Sequence, residues 1–137
     1  MFNFYFKKNL IKILGVLLKP FKFKGFYLSL TIAFLIMFLS LQPPGEGDTK
    51  LLVSDKLLHF IAYGAMVLPV LLNRIFPQLL VFIIAFIYGG CIELVQPFWG
   101  READIMDLWA NTAGIILGIL IARGIVFIFK IQPSSTL

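Results

Sequence analysis

Residues 79–118 read LLVFIIAFIYGGCIELVQPFWGREADIMDLWANTAGIILG. Two apolar runs flank a polar turn, and one carboxylate, Glu93, interrupts the first run a turn before Pro97. At 1.5 Å per residue each run nearly crosses or crosses a hydrocarbon core of ~30 Å. A charge at the centre of such a span costs about 2.5–3.5 kcal/mol on insertion scales, so Glu93 marks a functional position inside a membrane helix.

Working outward, apolar runs predict four spans: Phe26 to Leu41, Leu57 to Leu72, Leu79 to Gln96 and Ile105 to Phe129. The first two are marginal in length, and Asn73 and Arg74 extend the second by snorkelling. Composition agrees. The 137-residue chain is 60% hydrophobic with 15 Phe and only 14% charged, too little polar surface to coat a water-soluble globule. The predicted fold is all-α: a polytopic four-transmembrane-helix bundle behind a basic amphipathic N-terminal segment. Residues 1–24 form that segment, 25–130 the membrane domain and 131–137 a tail. Nothing in this composition suits nucleic acid, and the one cysteine, Cys91, excludes an intrachain disulfide.

Breakers separate the spans. Pro43, Pro44, Gly45 and Gly47 cannot continue a helix, Pro77 divides spans two and three, and Pro97 ends span three before an interfacial turn with Trp99. Residues 1–24 carry Lys7, Lys8, Lys12, Lys19, Lys22 and Lys24 with no acid, which places the N-terminus in the cytoplasm. Four crossings return the C-terminus there, on the side of Arg74, Arg123 and Lys130. The N-terminal stretch reads equally as an amphipathic anchor on the anionic leaflet or as a topogenic tail. Span one lacks a small-x-small cleavage pattern and is expected to be retained.

This topology gathers the polar groups at the extracytoplasmic ends. Asp55, His59 and Tyr63 repeat every four residues with Lys56 beside them; Gly89, Glu93 and Gln96 share a second stripe. Asp104, Asp107, Asn111, Gly114 and Gly118 share a third, with Arg101 just before it. Such faces turn inward. Structural roles compete: Ser54 and Asp104 suit N-caps, Asp107 an N3 position, Asn111 an interhelical hydrogen bond, and Gly114 with Gly118 a close helix approach. Glu93 caps nothing at its helix end and opposes the C-terminal dipole. Asp55, Glu93, Asp104 and Asp107 give minus four against plus two from Lys56 and Arg101. The cluster therefore requires protons, a charged His59 or a bound cation.

These motifs, Asp55-Lys56-x-x-His59-x-x-x-Tyr63, Glu93-x-x-Gln96, Gly100-Arg101-x-x-Asp104-x-x-Asp107 and Asn111-x-x-Gly114-x-x-x-Gly118, resemble the VanZ-like family of small bacterial membrane proteins. The family is named for a member associated with teicoplanin resistance. The resemblance spans 54–118, with one departure: Trp99 stands where many members carry proline, and Pro97 lies two positions earlier. It implies the bacterial cytoplasmic membrane and a setting of cell-envelope biology and glycopeptide tolerance.

Two functions follow as expectations. The first is a module that binds a lipid, a lipid-linked cell-wall precursor or an envelope protein through a polar crater of Asp55, Lys56, Tyr63, Gln96, Asp104 and Asn111. The alternative is a membrane-embedded hydrolase or transferase with Glu93, His59 and Asp107 as acid/base groups and Arg101 as an electrostatic clamp. No Gly-x-Ser-x-Gly is present, which argues against a serine hydrolase, and without HExxH or comparable ligand spacing no cofactor is expected. A metal held by His59, Glu93 and Asp107 is the minority reading.

Overall fold

The computed structural model describes residues 24–43 and 55–130. The N-terminal lysine-rich stretch, the 44–54 connection with Ser54, and the C-terminal tail lie outside the described residues. Among the described residues there are four α-helices: α1 (Lys24–Ser40), α2 (Asp55–Leu72), α3 (Gln78–Val95) and α4 (Ile105–Phe129). A 3-10 turn, Gln96–Trp99, follows α3.

Three of these helices, α2, α3 with its 3-10 extension, and α4, are long and apolar enough to cross a membrane. The first predicted span, Phe26 to Leu41, appears as α1, a shorter apolar helix of 17 residues. At 1.5 Å per residue it is roughly 25 Å long, short of a ~30 Å core. Pro97 acts a little earlier than its position suggests. The α-helix stops at Val95, and the proline sits within the 3-10 turn that closes on Gly100 in the left-handed conformation (φ 76°).

Two contacts fix the direction of α1. Gly25 is packed so closely on the Pro69 carbonyl that a Cβ there would collide with it, which sets the start of α1 against the end of α2. At the other end, Gln96 Nε2 donates to the Ser40 carbonyl at 3.3 Å. Successive helices therefore run antiparallel.

Pro69 lies inside α2 and disturbs its hydrogen-bond ladder. Beside it the Val70 N–H donates to Ser29 Oγ of α1 at 3.1 Å, which ties the two helices together at the proline. The broadest interface joins α2 to α4. There Gly114 abuts the Phe60 carbonyl, and a Cβ on Gly118 would stand 2.7 Å from the Gly64 carbonyl oxygen. The expected close approach through Gly114 and Gly118 is thus made against α2, with Gly64 as its counterpart. Tyr63, Val67, Ile115 and Ala122 fill the seam, each almost fully buried. An apolar cavity of about 270 Å³ lies between α1 and α3 over α2, running from Phe26 and Phe76 to Tyr88.

Candidate functional site

Antiparallel helices bring the start of α2, the end of α3 and the start of α4 to one end of the bundle. Asp104 is the N-cap of α4, its side chain accepting from the Met106 N–H at 2.8 Å. Asp107 occupies the first turn, its N–H donating to the Asp104 carbonyl at 2.9 Å. Asp104 is thus the expected cap, whereas Asp107 stands at the expected N3 position with its carboxylate turned to Lys56 and His59.

An outer layer consists of ion pairs. Lys56 Nζ, one residue into α2, bridges Asp104 Oδ2 and Asp107 Oδ1, the latter at 3.3 Å. Arg101 pairs with Asp55 Oδ2 at 3.2 Å. Arg101 thus clamps the start of α2 rather than Glu93 or Asp107. Lys56 and the Met106 N–H together hold the Asp104 carboxyl below the usual carboxylate range.

Beneath lies a buried polar layer. His59, Tyr63, Glu93, Gln96, Asp107 and Asn111 are all buried, as the stripes predicted. His59 Nδ1 is 3.0 Å from Asn111 Oδ1, and its Nε2 faces Asp107 Oδ2 at 3.8 Å. The imidazole lies against Tyr63, centroids 6.5 Å apart, and Tyr63 against Tyr88 at 6.2 Å.

Among the described residues, the buried side-chain atoms without a hydrogen-bond partner are Tyr63 OH, both Glu93 oxygens, Gln96 Oε1 and Asn111 Nδ2. All belong to this layer. The Asp104 backbone N–H is in electrostatic reach of Glu93 without hydrogen-bonding geometry. Gly89, one turn before Glu93, makes room among them. A Cβ there would sit 3.3 Å from both Tyr63 OH and Asn111 Nδ2.

Every candidate residue read from the sequence therefore lies at or just beneath one end of the bundle. Sequence reasoning missed two features. The Ser40 carbonyl of α1 reaches the layer through Gln96, and no side-chain pattern announces a backbone acceptor. The acids that could share a metal with His59 are Asp55 and Asp107, whose donor atoms lie within 4.8 Å of one another and of the imidazole. The sequence reading chose Glu93 as the third, although the four-residue spacing of Asp55 and His59 was the available signal.

A multi-helix membrane domain with an ion-paired mouth over a buried polar layer is the class defined by these observations. A family model described as VanZ/LLP1 matches residues 3–129, nearly the whole chain, and the chain belongs to this family. The match extends well beyond the 54–118 region that carried the resemblance. No curated protein and no solved structure gives a significant match.

Proposed function

We propose that this protein crosses the bacterial cytoplasmic membrane four times, with both termini cytoplasmic, and binds an envelope amphiphile through the extracytoplasmic polar end. The amphiphile is a lipid or a lipid-linked cell-wall precursor, and an envelope protein is the other partner this surface suits. The observation that carries the reading is the set of unpartnered atoms on Tyr63, Glu93, Gln96 and Asn111. Leaving a buried polar group unsatisfied costs about 1–3 kcal/mol, so several in one place favour a polar guest. The cavity between α1 and α3 ends at Tyr88, whose ring touches Tyr63 of the polar layer. A head group in the polar layer and a chain in the cavity would occupy adjoining spaces. The family's setting links this binding to glycopeptide tolerance.

A membrane-embedded hydrolase or transferase is the second reading, favoured by His59 standing between Asn111 and Asp107 beside an unpartnered Glu93. Native mass spectrometry of protein extracted with its lipids tests the first reading. Wild type should retain a lipid or precursor, and Gly89→Leu, which fills the space beside Tyr63 and Asn111, should lose it. Absence of any retained amphiphile from wild type would overturn the binding reading. Glu93→Gln separates the two: a module keeps much of its affinity, whereas an enzyme using Glu93 as base loses about a hundredfold in activity.

A further inference from the structure

Asp55 and His59 stand one turn apart on α2, and Asp107 faces them from α4. One donor atom of each lies within 4.8 Å of the others. All three side chains are also held from behind. His59 Nδ1 meets Asn111 Oδ1 at 3.0 Å; with the amide oxygen as acceptor, the proton sits on Nδ1 and the lone pair on Nε2. Asp107 Oδ1 accepts from Lys56 at 3.3 Å, and Asp55 Oδ2 accepts from Arg101 at 3.2 Å. Partners that bind the far atom of each ligand are what orient metal ligands.

The atoms left over point at one another. His59 Nε2 and Asp107 Oδ2 are 3.8 Å apart, too far for a hydrogen bond. For a neutral imidazole with its proton on Nδ1, this sets a lone pair against a carboxylate oxygen, a repulsion that a positive group between them would reverse. Two ligands each about 2.0–2.2 Å from a common ion stand within about 4 Å of each other, which this separation meets. Glu93, in the same buried layer, adds a carboxyl that is nine-tenths buried and has no hydrogen-bond partner.

We propose that Asp55, His59 and Asp107 bind one divalent first-row transition-metal ion. One imidazole and two carboxylates form a mixed nitrogen and oxygen set suited to Zn²⁺ or Mn²⁺. Three protein ligands leave a coordination position open for a ligand oxygen. The ion and the crater's ligand share a site, yet metal occupancy is readable without knowing what the crater binds.

The test uses the full chain purified in detergent, stripped with chelator and then titrated with Zn²⁺ or Mn²⁺. Bound metal and the thermal midpoint are measured after dialysis. Expected are about one ion per chain and a higher midpoint, by mass action on the folded state. Asp107→Asn and His59→Gln should abolish both effects, and bound Co²⁺ should lose its ligand-field bands in His59→Gln. Asp55 is half-exposed, so Asp55→Asn should fold normally and weaken binding by at least about tenfold. That variant decides the matter if the buried substitutions prevent folding. Glu93→Gln, outside the ligand set, should still bind the ion, which keeps this outcome distinct from loss of the crater's ligand. Less than about one ion per ten chains in wild type, or undiminished binding by Asp55→Asn, would overturn the proposal.

Discussion

His59 and Asn111, from α2 and α4, meet at 3.0 Å through Nδ1 and Oδ1 in the buried layer. With the amide oxygen as the acceptor, Asn111 selects the imidazole tautomer and turns Nε2 toward Asp107. Asn111→Leu keeps the volume close and leaves a buried N–H without an acceptor, which costs about 1–3 kcal/mol. The expected outcome is a lower thermal midpoint in detergent, with a change in His59 ring resonances by NMR. Unchanged His59 resonances would show that the tautomer is set elsewhere.

Gly114 is in contact with the Phe60 carbonyl, whereas Leu117, one turn further along the same helix, is 40% exposed. Gly114→Leu must push α4 away from α2, and overpacking of this kind costs typically about 1–3 kcal/mol or more. Leu117→Ala removes surface that faces the bilayer. Folded yield after detergent extraction should therefore fall sharply for the first substitution and little for the second. Equal yields would mean that the α2–α4 seam is looser than the glycine contacts indicate.

The difference between those two residues also explains what could be read from sequence. Helical spacing separated the face of Asp107, Asn111, Gly114 and Gly118 from its surroundings, because charged or small residues at intervals of three and four stand out in an apolar run. The same arithmetic placed His59, Tyr63, Glu93 and Gln96 inside. Pairings were not legible, since spacing gives a face and not a partner. Arg101 reaches Asp55 while Lys56 takes Asp104 and Asp107, a choice set by the turn from Gln96 to Gly100. The length of α1 was likewise ambiguous, because an apolar run of this size suits a short span or a shallow helix equally.

Those pairings bear on how each cation contributes. Arg101 and Asp55 are part-exposed, and ion pairs in that setting are worth about 0–1 kcal/mol, so Arg101→Ala should cost little stability by itself. Lys56 instead contacts Asp107, which is buried. Lys56→Met should lower the thermal midpoint more than Arg101→Ala does, and adding Asp107→Asn to Lys56→Met should recover part of the loss. A double-mutant cycle measures that coupling, and strict additivity would contradict the pairing.

Asp104 supplies a pH dependence with a definite sign. Its carboxyl is held below the usual carboxylate range by the Lys56 ammonium and then by the Met106 N–H. A depressed folded-state pKa contributes stability that is fully present above the unfolded value, near pH 4, and disappears as pH falls through the folded value. Thermal melts from pH 5 downward should show this loss in wild type and a shallower decline in Asp104→Asn. Parallel declines would place the acid sensitivity on other carboxyls.

Orientation is open to a direct test, because the lysines of residues 1–24 and the antiparallel helices together predict which face the ion-paired mouth occupies. With the N-terminus inside and four crossings, the 44–54 connection and the turn around Glu102 are extracytoplasmic. Cys91 is exposed and must first be removed by Cys91→Ser. Single substitutions Gly47→Cys and Glu102→Cys should then react with an impermeant thiol reagent in whole cells, while Ser135→Cys should react only after lysis. Labelling of Gly47→Cys without Glu102→Cys would mean that α2 or α3 does not cross, since two crossings between the sites return both to one face. Labelling of Ser135→Cys in intact cells, with Gly47→Cys and Glu102→Cys protected, would mean that the protein is inverted or that α1 does not cross. Either would set Lys56, Arg101 and the buried acids on the cytoplasmic side, away from any extracytoplasmic cell-wall precursor.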